Sequence, residues 1–295
     1  MDSRTVSRLK IIVAALLFST GGAAIKSAAF TSWQVACFRS GIAAVAVFVL
    51  SPASRRGWSW RTLVVGVTYA ATLVLFVLAN KLTTSANTIF LQSAAPLYLL
   101  LLGPWLLKEK ITREDLFFMV LVGAGFSLFF VGKEAPIATA PNPFLGNVLA
   151  AISGLTWALT IVGLRWISAR PGASESAAAA AVVSGNMIAF LVCLPFALPV
   201  LQGGFTDWAL VSYLGVFQIG VAYIFLTTAI KRIPALEASV LLLVEPAFNP
   251  IWSWLVHGER PGPWALIGGV IIIGSTTAKA IYDARRAGPV LQPVE

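Results

Sequence analysis

Charge is what this sequence has least of. Asp, Glu, Lys and Arg together make up 11% of its 295 residues, against about a quarter in an average soluble chain, and that scarcity excludes an ordinary water-soluble globule. Aspartate occurs only at 2, 115, 207 and 283, histidine only at 257, and cysteine only at 37 and 193. There is no HExxH, no Cys/His cluster and no pair of aspartates within apolar runs, so a zinc or intramembrane enzyme finds no constellation to work with. No glycine-rich phosphate loop offers ATP binding. Cys37 and Cys193 both fall inside apolar runs, where they behave as small apolar residues and report nothing about redox compartment. Long polar stretches are missing too: the longest connection, GKEAPIATAPNP at 132–143, has three prolines and no apolar periodicity, and reads as a loop.

What is present is apolar length. Hydrophobic residues make up 58% of the chain, and a hydrocarbon core about 30 Å thick needs roughly 20 of them per helix. Ten runs qualify, at 9–28, 33–50, 62–80, 85–107, 115–131, 145–167, 177–200, 208–230, 236–256 and 263–282. The predicted fold is an all-α polytopic membrane protein with ten transmembrane helices, a single membrane domain over 1–295. The first run is longer than the apolar part of a cleavable signal, and Lys26 sits just before the small residues that would mark a cut, so it reads as a retained helix.

The net charge of +9 does not point to nucleic acid, because the basic residues gather in alternate connections. On the side of the N-terminus lie sixteen: Arg4, Arg8, Lys10, Arg55, Arg56, Arg61, Lys108, Lys110, Arg113, Arg165, Arg170, Lys231, Arg232, Lys279, Arg285 and Arg286. The other side has four, Lys26, Lys81, Lys133 and Arg260, and Arg39 falls within the second run. That asymmetry is the positive-inside pattern and predicts both termini in the cytoplasm, as an even helix count requires.

The chain also resembles itself. At a shift of 150, SAAPLYLLLLGPWLLKEK (93–110) lies over LVEPAFNPIWSWLVHGER (243–260), with Pro96 over Pro246 and Glu109 over Glu259; Ala79 and Lys81 match Ala229 and Lys231. The fourth run thus pairs with the ninth. A shift of 137 brings LLFSTGGAA (16–24) onto ISGLTWALT at a few small and apolar positions. Each half contains five helices, an odd number, so the second half inserts upside down: a first repeat over 9–131 and a second, inverted one over 145–282.

Ten helices in two such halves, each with a proline in its fourth helix and a glutamate at that helix's end, resemble the drug/metabolite transporter superfamily, specifically its ten-helix EamA type. Length and aromatic content are similar to those of bacterial exporters of aromatic and other amino acids. The resemblance implies a secondary transporter in the bacterial inner membrane that exports small metabolites by alternating access, with amino acids as the main class and hydrophobic cations as secondary substrates. Other implied readings are exchange of nucleosides, sugars or cationic drugs; a receptor or intramembrane enzyme stands further off. Ser19, Thr20 and Gly21 depart from the tryptophan and glycine usual in the family's first helix, whereas Trp157 is kept in the sixth. No cofactor and no nucleic acid is called for. The expected partners are a small-molecule substrate and the lipid bilayer, and the sequence sets no oligomeric state.

Helical spacing nominates a lining for the cavity. Glu245, Asn249 and Trp252 follow i, i+4, i+7 and share one face of the ninth helix; the matching face of the fourth reaches Gln92 and Thr88, with Tyr98 further along. Tyr69, Leu73, Phe76 and Asn80 follow i, i+4, i+7, i+11 on one face of the third helix, and Tyr223 stands over Leu73 in the eighth. Aromatic faces and amides suit a small organic solute. For Tyr69, Tyr98, Trp157, Tyr223 and Trp252 the alternative is ordinary packing; Trp33, Trp58, Trp60, Trp208 and Trp264, at run ends, read as interface anchors. Glu245 costs roughly 2.5 to 3.5 kcal/mol at membrane depth and must face protein or water. It has three possible roles: pairing with Arg39, titrating in a proton-coupled cycle, or binding a substrate ammonium. Pro96 and Pro246 remove amide donors opposite the carbonyls of Gln92 and Leu242 and predict helix breaks that serve as hinges. Glu109 and Glu259 read as solvated ion pairs or caps near Lys108, Lys110 and Arg260, and Gly269 and the Gly274/Ala278 pair as close helix packing.

Overall fold

The computed structural model describes residues 3–106, 111–131, 135–168, 176–229, 232–233 and 235–286; Glu109 and its lysine neighbours lie outside them. Among the described residues ten crossings result, nine of them on helices long and apolar enough to span a membrane and one, the ninth, in two shorter parts. The first is α1, Ser3–Ser19 continued after a break by Gly21–Ser27. Then come α2 (Ser32–Leu50), α3 (Trp60–Leu82), α4 (Ser85–Gln92, then Ala95–Leu106), α5 (Arg113–Val131), α6 (Pro143–Ser168) and α7 (Ser176–Ala197). The last three are α8 (Phe205–Tyr213, a π-helical stretch Leu214–Val221, then Ala222–Ala229), α9 (Ala235–Leu242, then Val244–His257) and α10 (Pro263–Arg286).

Local chemistry sets the ends. Thr31 and Ser59 cap α2 and α3 through reciprocal bonds with Gln34 and Thr62, and Thr84 accepts the Asn87 amide at the start of α4, each replacing a missing intrahelical partner. Gly258 takes the left-handed conformation, φ 66°, that stops α9. Pro143 and Pro263 occupy first positions of α6 and α10, where a missing N–H is harmless.

α3 packs on α6 and α7, α2 on α7, α5 on α10, α4 on α6, and α1 on α8 and α9. Exchanging α1–α5 for α6–α10 maps the α3–α6, α3–α7 and α4–α6 contacts onto α8–α1, α8–α2 and α9–α1, all of which occur, and leaves α2–α7 and α5–α10 unchanged. Exchanging the two five-helix halves thus preserves most of the contact pattern. Small residues let them approach: a Cβ on Gly185 of α7 would lie 3.0 Å from the Gly66 carbonyl of α3. Gly269 packs under Phe90, but among the described residues nothing lies within 4 Å of a Cβ at Gly274, so close packing is seen at the first and not at the second. Large apolar side chains such as Val67, Phe117, Phe196 and Val270 face outward, as a lipid-bounded surface requires.

An even number of crossings puts both described chain ends at one end of the bundle, the terminal end. The connections at 28–31, 83–84, 135–142, 198–204 and 258–262 gather at the other, the far end.

Candidate functional site

Helix breaks position the site. α4 is interrupted at Ser93 and Ala94 and α9 at Leu243, just ahead of Pro96 and Pro246. Each proline has no N–H for the preceding turn and crowds its carbonyl, so the helix opens there. Tighter bonds bridge the gaps, from the Ala94 amide to the Leu91 carbonyl (3.3 Å) and from the Leu243 amide to the Val240 carbonyl (3.2 Å). α1 breaks at Thr20 with no proline: the Ser19 and Thr20 hydroxyls donate to the carbonyls of Leu16 and Leu17, each at 2.7 Å, a back-bonding that bends helices. α8 accommodates its own irregularity as the π-helical stretch, a form that concentrates at functional sites.

These breaks surround a cavity of about 410 Å³, within the range of small-molecule sites. Tyr69, Gln92, Trp157, Tyr223 and Glu245 line it, together with Pro96 and Pro246. The rings meet: Tyr69 and Tyr223 are edge-on with centroids 5.9 Å apart, and Tyr69 and Trp157 lie 6.3 Å apart. Gln92 Nε2 donates to Ser153 Oγ at 2.7 Å, and Thr72 of α3 donates to Thr156 of α6 at 2.9 Å, which fixes the wall. The lining runs from the breaks toward the terminal end through Leu99, Ile161, Leu226 and Thr276. Glu245 has no hydrogen-bond or ionic partner among the described residues, so its pairing with Arg39 does not occur here.

Sequence reasoning did not nominate Gln218, Thr72, Ser93 or Thr276, which also line the cavity, and placed Arg39 only as a partner for Glu245, although it lines the cavity itself. Gln218 comes from the π-helical stretch, whose altered pitch no 3.6-residue pattern anticipates; its Nε2 would sit 2.8 Å from a Cβ at Gly21. Conversely, Asn80, Thr88, Tyr98, Asn249 and Trp252 stand outside this lining. Asn80 and Thr88 donate to carbonyls of their own helices, Phe76 at 3.0 Å and Thr84 at 3.1 Å. Tyr98 packs edge-on against Phe126. Trp252 Nε1 donates to Ser19 Oγ at 2.9 Å and so ties α9 to the break in α1. Asn249 is fully buried beside Gly22, where a Cβ would meet its Oδ1 and Ser85 Oγ, both at 2.8 Å. Helices α1, α4 and α9 thus close on one another between the cavity and the far end.

The far end carries the largest correction. Glu259 is not solvated: it pairs with Lys26 at 2.8 Å, each side chain 2% exposed, and its Oε2 accepts the Ser85 amide at 3.1 Å. Lys26 also donates to the carbonyls of Thr83, at 2.8 Å, and Thr139. Lys81 donates to the Ala28 carbonyl (2.6 Å), Asp207 accepts the Ala29 amide (2.6 Å), and the Asn142 amide donates to the Leu82 carbonyl (3.0 Å). Four of the five connections at this end are linked through these contacts, and the fifth joins them through Asp207, whose Oδ2 accepts the Gly204 amide at 2.8 Å. Among the described residues, no three His, Cys, Asp or Glu side chains gather as a metal site.

A family model, the EamA-like transporter family, matches the chain twice, over residues 7–131 and 144–278. The chain belongs to this family. Curated relatives carry the same kind of name. An "Uncharacterized transporter" of Archaeoglobus fulgidus is 28% identical over 206 residues, 68% of this chain and 70% of that protein. The "Uncharacterized transporter YetK" of Bacillus subtilis is 26% identical over 201 residues, 65% of this chain and 58% of the relative. A crystal structure overlays 97% of this chain and 100% of its own, with TM-score 0.63 at 20% identity, a likeness of fold alone. The cavity is therefore that of a membrane transporter with two family repeats.

Proposed function

We propose that this transporter exports small metabolites, above all amino acids including aromatic ones, by alternating access around the central cavity. The observation that carries the reading is the cavity itself: it lies where helices of both halves break, with ring faces of Tyr69, Trp157 and Tyr223 beside the unpartnered carboxylate of Glu245. Rings take an apolar side chain, and a carboxylate takes an ammonium. The positive-inside pattern puts the terminal end in the cytoplasm of a bacterial inner membrane, so this conformation is closed outward and open inward. Repeats over 9–131 and 145–282 exchange roles during the cycle, with Pro96 and Pro246 as hinges. Asn249, Thr88, Asn80 and Trp252 become lining when the far end opens, whereas Tyr98 stays in the packing.

A second reading, export of hydrophobic cations, draws on the same Glu245 among aromatic rings. Uptake of radiolabelled phenylalanine, an arylammonium dye and uridine into proteoliposomes of the purified transporter separates the readings. Phenylalanine flux above protein-free vesicles, saturable and inhibited by tryptophan, is the expected result; flux of the dye alone would replace the amino acid reading with the cation reading.

A further inference from the structure

We infer that Arg39 and Glu245 divide the recognition of one zwitterion, with the Arg39 guanidinium reading the substrate carboxylate and Glu245 its ammonium. The inference rests on the amino acid reading above and assigns residues to it.

Charges inside a lipid-bounded protein are retained where they are paired or used. Every other carboxylate among the described residues is occupied: Glu114 by Tyr282, Asp115 and Asp283 by Lys279, Asp207 by the amides of Ala29 and Gly204, Glu237 by Arg4 and Arg8, and Glu259 by Lys26. Glu245 stands apart. Arg39 stands apart on the basic side: it is 2% exposed, its Nη2 donates to the Leu73 carbonyl at 3.0 Å, and among the described residues its Nε has no acceptor and no carboxylate pairs with it. A guanidinium has five N–H donors in a rigid fork suited to a carboxylate, and a single carbonyl uses little of that capacity.

Both residues line the same cavity, Arg39 from α2 and Glu245 from the start of the second part of α9. Apart from the phenols of Tyr69 and Tyr223, no other titratable side chain among the described residues lines it. A hydrophobic cation would satisfy Glu245 and leave Arg39 as it is; an organic anion would do the reverse. A zwitterion meets both charges and leaves the cavity neutral, and Tyr69, Trp157 and Tyr223 remain free to take its side chain. Unpaired buried charges discriminate strongly against ligands that lack the matching group, because desolvation goes uncompensated.

Binding to the purified full-length transporter, followed by isothermal titration, tests the assignment with three ligands: L-phenylalanine, phenylalanine amide, which lacks the carboxylate, and 3-phenylpropionate, which lacks the ammonium. We expect phenylalanine to bind at least about tenfold more tightly than either analogue, the scale of one lost charge-assisted bond. Arg39→Gln should bring phenylalanine down to the amide's affinity without changing the amide's. Glu245→Gln should bring phenylalanine down to that of phenylpropionate without changing the latter's. Arg39→Lys, which keeps the charge and loses the fork, should fall between. Should Arg39→Gln fail to fold, the three ligands on the native protein still decide. Equal binding of phenylalanine and its amide overturns the role of Arg39 while amino acid transport stands, and an equal loss for all three ligands in Arg39→Gln overturns it in favour of a packing role. Absence of binding and flux for every amino acid would sink the underlying reading as well.

Discussion

α1 is tied to the ends of α9 in opposite ways at the two ends of the bundle. At the far end, Lys26 and Glu259 form a pair hidden from solvent and embedded in backbone bonds from neighbouring connections. At the terminal end α1 meets α9 through ion pairs in the open, Arg4 and Arg8, 52% and 46% exposed, with Glu237; the pair of Lys279 with the largely buried Asp115 joins α10 to α5 instead. Exposed pairs contribute little, whereas breaking one side of a buried pair strands an uncompensated charge. Among the described residues the buried tie between α1 and α9 is therefore at the far end, and the cavity extends from the breaks toward the other.

The most damaging way to break the contrast is to remove one far-end charge. Lys26→Met or Glu259→Gln should each destabilise the protein by about 3 to 5 kcal/mol, read as a large fall in Tm in detergent. The double variant Lys26→Met with Glu259→Leu should recover most of the loss, because no charge is left stranded. A smaller effect, about 1 to 3 kcal/mol, is expected from Gly22→Ala, whose Cβ meets Asn249 and Ser85 at 2.8 Å; thermal melting again reports it. Pro246→Ala and Pro96→Ala should slow turnover several-fold, on the scale of a gating step, with phenylalanine affinity changed little in titration; unchanged turnover would remove the hinges. The smallest change is expected at the terminal end, where Arg4→Ala should alter stability by about 0 to 1 kcal/mol, and the difference should shrink further in high salt.

Much of this was legible in the sequence. Apolar run length gave the crossings, because lipid forces every span to meet the same thickness, and a proline placed identically in two halves announced the paired breaks. Tyr69, Trp157 and Tyr223 were found because ring residues deep in a span have few uses. What stayed hidden depends on packing over distance. Glu259 is one residue beyond Gly258 at a helix end, a place that reads as solvated, yet Lys26 and the connections at 83–84 and 139 come over it. The Glu245, Asn249, Trp252 stripe is a real helical face, but α9 leans on α1 beyond its break, so the stripe begins in the cavity and ends in the far-end closure. Gln218 was invisible because a π-helical stretch changes which residues face inward.

We propose that the far end is shut and the terminal end open around one cavity. Thiol labelling in proteoliposomes of known orientation tests it most directly, with Cys37→Ala and Cys193→Ala as background and Thr276→Cys or Asn249→Cys introduced singly. At rest, Thr276→Cys should react with an impermeant maleimide from the terminal side, whereas Asn249→Cys should resist it from the far side until phenylalanine is added. Ready labelling of Asn249→Cys from the far side at rest, with Thr276→Cys protected, would contradict the account.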